Sequence, residues 1–140
     1  MMRKVIQSWN LFMEQENKPV DSRQVAKVVL INAEGKVLFL KRTDYVEKYA
    51  GEWDLPGGHL HIGEPLEKGL RRETREETGL SMGPVEKVKE LENIIFFKAK
   101  YVDGDIKLSK EHSSFAFRDV KDLKNPSKFE KVAKEALKSE

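Results

Sequence analysis

No cysteine occurs in the 140 residues. That excludes disulfides, thiol nucleophiles and cysteine-held metals, and it fits an expected cytoplasmic setting. Long apolar runs are missing as well; nothing approaches the ~20 residues of a membrane span. The basic opening "MMRKVIQSWNLFMEQ" lacks a sustained apolar stretch and a small-residue cleavage site, so no signal peptide is expected. Nor is there an excess of one charge: 26 Lys and Arg nearly balance 24 Asp and Glu, leaving +2. Without a clustered basic face, nucleic acid is not an expected partner, and without a spanning run neither is a membrane interior. Repeats and low-complexity segments are absent too. Charged residues make up 36% of the chain and hydrophobic ones 39%, enough for the core of one domain.

Along the chain, Val5, Ile6, Trp9, Phe12 and Met13 fall on one face of a predicted helix over 3–15, expected to dock on the body, with a partner-binding or membrane-surface role as the alternative; a polar connector follows. This gives an N-terminal extension over 1–20 and a single domain over 21–140. Within the domain, Val25–Asn32 and Val37–Arg42 read as strands joined by the turn "AEGK". "WDLPGGHLH" reads as short extended pieces, and Glu64 opens a helix with Pro65 at its first position and Gly79 at its end. A strand region then runs to "IIFFKAKYV". An Asp103-Gly104 hairpin turn leads into strands "DIKL" and "SSFAFRDV". "FEKVAKEALKS" closes the chain as an amphipathic helix. Strands outnumber helices and do not alternate with them, which predicts an α/β (α+β) fold with helices packed on a mixed sheet.

The stretch "RRETREETG" breaks a rule of helix electrostatics. Carboxylates are unfavourable in the last turn, where the macrodipole is negative. At ~100° per residue, Glu73 and Glu77 fall within about 20° of the line through Leu66, and Glu76 lies on the edge of that sector. Two ionised carboxylates about 4 Å apart repel by ~4 kcal/mol at an effective dielectric of 20. Protonation, an arginine partner or a hard divalent cation with oxygen ligands would each relieve this, and a helix turned toward solvent would avoid it. The preceding "LPGGHLHIGEP" adds glycines that permit close approach to the backbone. His59 and His61 sit in that loop, either as ordinary loop residues or beside a ligand.

From Gly58 the sequence reads "GHLHIGEPLEKGLRRETREETGL". This resembles the box of the Nudix hydrolase family, G-x5-E-x7-R-E-U-x-E-E-x-G-U with U bulky and apolar, and it is MutT-like. Gly58, Glu64, Arg72, Glu73, Glu76, Glu77, Gly79 and Leu80 match; Thr74 departs from the pattern at the first U. The resemblance implies an α/β/α sandwich around a mixed sheet and a metal-dependent pyrophosphohydrolase. It implies Mg2+, with Mn2+ as a substitute, held by Glu73, Glu76, Glu77 and the Gly57 carbonyl. Arg72 would pin a glutamate and Glu64 would support the loop. The metal would neutralise phosphate oxygens and lower the pKa of the attacking water. The general base is a box glutamate or, from "SKEHSSF", Glu111; the alternative for Glu111 and His112 is an ordinary loop role.

The expected substrate is a (deoxy)nucleoside triphosphate, split to monophosphate and pyrophosphate. In this family a downstream proline accompanies ADP-ribose hydrolysis, but after Leu80 the chain has only Pro84, too near, and Pro126, too far; a tyrosine there accompanies action on dinucleoside polyphosphates, where this chain reads "IIFF". Phe96, Phe97 and Tyr101 are candidates to stack a base, the alternative for aromatics at this strand spacing being the core. Alternatives are ADP-ribose, a nucleotide sugar or a dinucleoside polyphosphate as substrate, and a nucleotide-sensing module without catalysis. A homodimer is left open.

Overall fold

The computed structural model describes residues 24–43 and 52–138. The predicted N-terminal helix and most of the loop after Arg42 lie outside them. β1 (Val25–Ile31) is buried at all seven positions, because it is covered on every side. β7 (Ile94–Asp103) runs parallel to it in register from Val25↔Ile94 to Ile31↔Lys100. β2 (Val37–Arg42) and β4 (Gly57–His59) pair with it antiparallel. β3 (Trp53–Asp54) and β8 (His112–Arg118) flank β2, while β5 (Ser81–Met82) and β6 (Glu86–Leu91) flank β7. The sheet is therefore mixed, as the irregular order of strands predicts.

Side chains alternate across β1, so each face carries its own core. Ala26, Val28 and Leu30 join Leu66 and Leu70 of helix α1 (Leu66–Thr78). Val29 and Ile31 join Val132, Ala133 and Ala136 of helix α2 (Lys128–Lys138). Each large side chain buried in this way contributes roughly 1.5–3 kcal/mol relative to exposure. One helix on each face makes the expected α/β/α sandwich.

Two local readings are corrected. Pro65 is the N-cap of α1, extended at φ −61° and ψ 140°, rather than its first helical residue. Its carbonyl accepts the first bond of the helix, from the Gly69 amide at 2.9 Å. "DIKL" is not a strand, and no hairpin follows Gly104: β7 ends at Asp103 and the next strand begins at His112. The last carbonyls of a helix lack partners within it, and this segment supplies them. Lys107 N–H donates to Thr78 O at 2.8 Å and Ser109 N–H to Glu77 O at 3.1 Å, while Ile106 and Leu108 pack on the core. Gly79, left-handed at φ 77°, stops the helix as predicted.

Candidate active site

Lys27 interrupts an otherwise apolar strand, yet it is 7% exposed. A buried ammonium must be paired, and its Nζ lies 3.0 Å from Asp54 Oδ1 and donates to the carbonyls of Leu55 and Gly57. Asp54 also takes Arg42 at 3.3 Å and His112 Nε2 at 3.2 Å. Burial alone would raise the pKa of Asp54, but Lys27 and His112 outweigh it and hold the carboxyl at about 2. This buried network pins the loop that runs from β3 into β4.

The loop then meets the C-terminal half of α1. A Cβ on Gly58 would sit 2.7 Å from Glu73 Oε2 and 3.2 Å from Glu77 Oε1, so both carboxylates converge over that glycine. Any larger residue would displace them. Burial, opposed by Lys27 and reinforced by the charges of Asp54, Glu73 and Glu111, pushes Glu77 up to about 8. Burial also raises Glu73, helped by Glu76 and Glu111 and opposed by Arg72. The helix wheel had placed these two acids on the inward line, and they lie there.

Arg72 binds three carboxylates: Glu64 through two bonds of 2.8 and 3.0 Å, Glu73 at 3.1 Å and Glu76 at 3.0 Å. Bonding to Glu64 raises Arg72, and the same bonds hold Glu64 at about 2. Glu64 Oε1 also accepts the His61 amide at 2.9 Å, which closes the loop before the helix.

Glu76 is turned outward, its side chain 59% exposed. Glu111 is exposed in the turn just before β8, near enough for its charge to act on Glu73 and Glu77. Its carbonyl accepts from the amide and hydroxyl of Thr43 at 3.0 and 3.3 Å. His59, the last residue of β4, and His61 in the loop that follows are both exposed.

Phe96 and Phe97 correct the expectation of base stacking. Both are 0% exposed, and they point into opposite cores because they are neighbours on a strand covered on both faces. Their rings are packing groups. Partly open aromatic surface is found instead at Tyr101 and Phe115.

No cluster of three or more carboxylate or imidazole groups stands ready-made for a cation among the described residues. The donor chemistry nonetheless suits a hard divalent ion. Glu73 and Glu77 are desolvated and convergent, and burial, reinforced by neighbouring carboxylates, raises the pKa of each. The Gly57 carbonyl accepts from Lys27 at 3.3 Å, and the amide of the same residue reaches Glu77 Oε2 at 3.4 Å.

Sequence reasoning missed Lys27 and Asp54. The one available signal was a lysine inside the run "VAKVVLI", where every neighbour demands burial.

A mixed sheet between two helices, with a glycine loop beneath the acidic end of one of them, is the architecture of the Nudix fold. The NUDIX domain model matches residues 21–138, and the chain belongs to that family. A solved MutT protein from Methanosarcina mazei Go1 is 29% identical, with a TM-score of 0.67 over 82% of this chain and 92% of that one. The nucleoside triphosphatase NudI of Escherichia coli O139:H28 is 44% identical over 50 residues, covering 36% of each chain. The RNA pyrophosphohydrolase of Erythrobacter litoralis is 42% identical over 59 residues, 42% of this chain and 35% of that protein. The chain thus spans only about a third of the length of these two curated relatives. No helix among the described residues is long and apolar enough to cross a membrane.

Proposed function

We propose that the protein is a divalent-cation-dependent pyrophosphohydrolase that converts a (deoxy)nucleoside triphosphate and water into the monophosphate and pyrophosphate. The observation that carries this reading is the meeting of Glu73 and Glu77 over Gly58. These two carboxylates, with Glu76 and the Gly57 carbonyl, would hold Mg2+ or Mn2+. The ion would neutralise phosphate oxygens and activate water. Arg72 keeps Glu73 from swinging away and ties it through Glu64 to the loop. Glu111 is the proposed acceptor of the water's proton: it is exposed, and its charge already reaches both inner glutamates. The substrate is a nucleotide held through its phosphates, since the bare site is acidic and would repel a polyphosphate without the ion.

The nucleoside triphosphatase relative supports the choice of substrate. A sensor without catalysis is disfavoured because all the box glutamates are present. The test is turnover with Mg2+ across nucleoside triphosphates, nucleotide sugars, ADP-ribose, dinucleoside polyphosphates and a 5′-triphosphorylated RNA, with products identified by mass. Monophosphate and pyrophosphate from a free triphosphate are expected. Preferential cleavage of another class would overturn the substrate, and binding without turnover across the whole panel would overturn catalysis.

A further inference from the structure

His112 is a fully enclosed polar side chain beside the site, its ring 0% exposed. A phenylalanine or leucine would fill such a space without needing partners. Here Nε2 meets Asp54 Oδ2 at 3.2 Å, while Nδ1 is buried with no hydrogen-bond partner in the protein. That unpartnered nitrogen faces Glu77 Oε2 at 4.0 Å. Glu77 itself is lightly held: the Gly57 amide reaches Oε2 only at 3.4 Å, near the outer limit of a useful bond. The imidazole thus stands between a carboxylate that is firmly paired and one that is not. It also follows Glu111 directly, so the ring anchors the backbone from which Glu111 projects.

We propose that His112 is a positioning residue, fixed by Asp54 through Nε2 and presenting Nδ1 to Glu77, that sets where Glu77 and Glu111 stand for a divalent cation and its water. The inference rests on the proposed metal-dependent function and adds to it. Asp54 in turn is locked by Lys27 and Arg42, so the orientation of the ring descends from the central strand. If His112 merely satisfied Asp54, any side chain reaching Asp54 would serve. The two ring nitrogens separate these roles.

In His112→Gln the amide can reach Asp54 but leaves nothing at the Nδ1 position; in His112→Asn the amide occupies the Nδ1 position but falls short of Asp54. Mn2+ affinity is read by electron paramagnetic resonance without substrate, alongside melting temperature, kcat and KM. His112→Gln is expected to melt close to wild type, bind Mn2+ about tenfold more weakly and lose about tenfold in kcat, with KM changed less than threefold. His112→Asn is expected to melt earlier while keeping Mn2+ affinity within about threefold. Wild-type Mn2+ affinity and kcat in His112→Gln would overturn the proposal. Should that variant not fold, loss of Mn2+ binding in folded His112→Asn would overturn it equally. A wild-type protein that binds Mn2+ but hydrolyses no triphosphate would remove the substrate reading and leave the affinity test standing.

Discussion

The backbone N–H of Gly57 donates to Glu77 Oε2 at 3.4 Å, joining residues 20 apart in sequence. This bond brings the end of the loop and the end of the helix to one place. The helix dipole is unfavourable to a carboxylate there. The loop's amide and the nearby Lys27 offset only part of the cost of burying it, which is why Glu77 stays raised to about 8.

Replacing this carboxylate by its amide tests its role. Glu77→Gln keeps the shape and the bond from Gly57 but gives up the negative charge. The expected result is a folded protein whose Mg2+-dependent turnover falls by at least about a hundredfold. Without divalent ions at pH 8 and above, its melting temperature should equal or exceed wild type, since no buried charge has to form. Circular dichroism melts and steady-state rates check both; an unchanged rate removes Glu77 from the chemistry.

The raised pKa of Glu77 carries a definite sign. Between the ordinary carboxyl value of 4.5 and about 8, the native state holds a proton that the unfolded chain has released. Stability therefore falls as pH rises through that window. A divalent cation favours the ionised form and must displace the proton. Mn2+ binding at pH 6.5 should release up to about one proton, detectable by calorimetry in buffers of different ionisation enthalpy. Metal should also flatten the alkaline fall in melting temperature. Binding with no proton released would contradict the coupling.

Glu64 shows the opposite behaviour. Its pairing with Arg72 holds it at about 2 against an ordinary 4.5, so its contribution is complete above about pH 4.5 and is lost as pH falls toward 2. Arg72→Met retains the apolar stem and discards the guanidinium. Wild type should lose more urea resistance than this variant between pH 5 and pH 2.5, because the variant has already forfeited that pairing. The variant should also turn over more slowly, since Glu73 loses its 3.1 Å anchor. Parallel acid limbs in the two proteins would show that Arg72 does not govern Glu64.

How much of this was legible depended on whether local pattern and tertiary demand agreed. β1 and β2 are legible as short β-branched and apolar runs, α1 by its flanking Pro65 and Gly79 and α2 by its apolar period, and the wheel places Glu73 and Glu77 inward and Glu76 on the edge, where it turns out to solvent. "DIKL" alternates like a strand, but it lies where unsatisfied carbonyls of α1 needed donors, and those bonds outbid a sheet edge. Phe96 and Phe97 could not be separated from a binding surface by sequence, because only the second covering layer buries both faces of β7. Lys27 and Asp54 meet through a contact 27 residues apart, beyond the reach of any local pattern.

The departure from the box at Thr74 yields a prediction of opposite signs at two neighbouring threonines. Both Thr74 and Thr78 are 0% exposed, yet their hydroxyls differ. Thr74 Oγ1 has no hydrogen-bond partner, whereas Thr78 Oγ1 donates to Thr74 O at 2.6 Å and accepts from the Leu80 amide at 3.1 Å. Valine copies the shape of threonine without the hydroxyl. Thr74→Val therefore removes a buried group that lost water and gained nothing, and should stabilise by about 1 kcal/mol, or about 3 °C in melting temperature. Thr78→Val strands the Leu80 amide just past the helix stop and should destabilise by about 1–3 kcal/mol. Urea unfolding of both variants beside wild type decides the matter: two changes of the same sign would mean that the hydroxyls are not partnered as described.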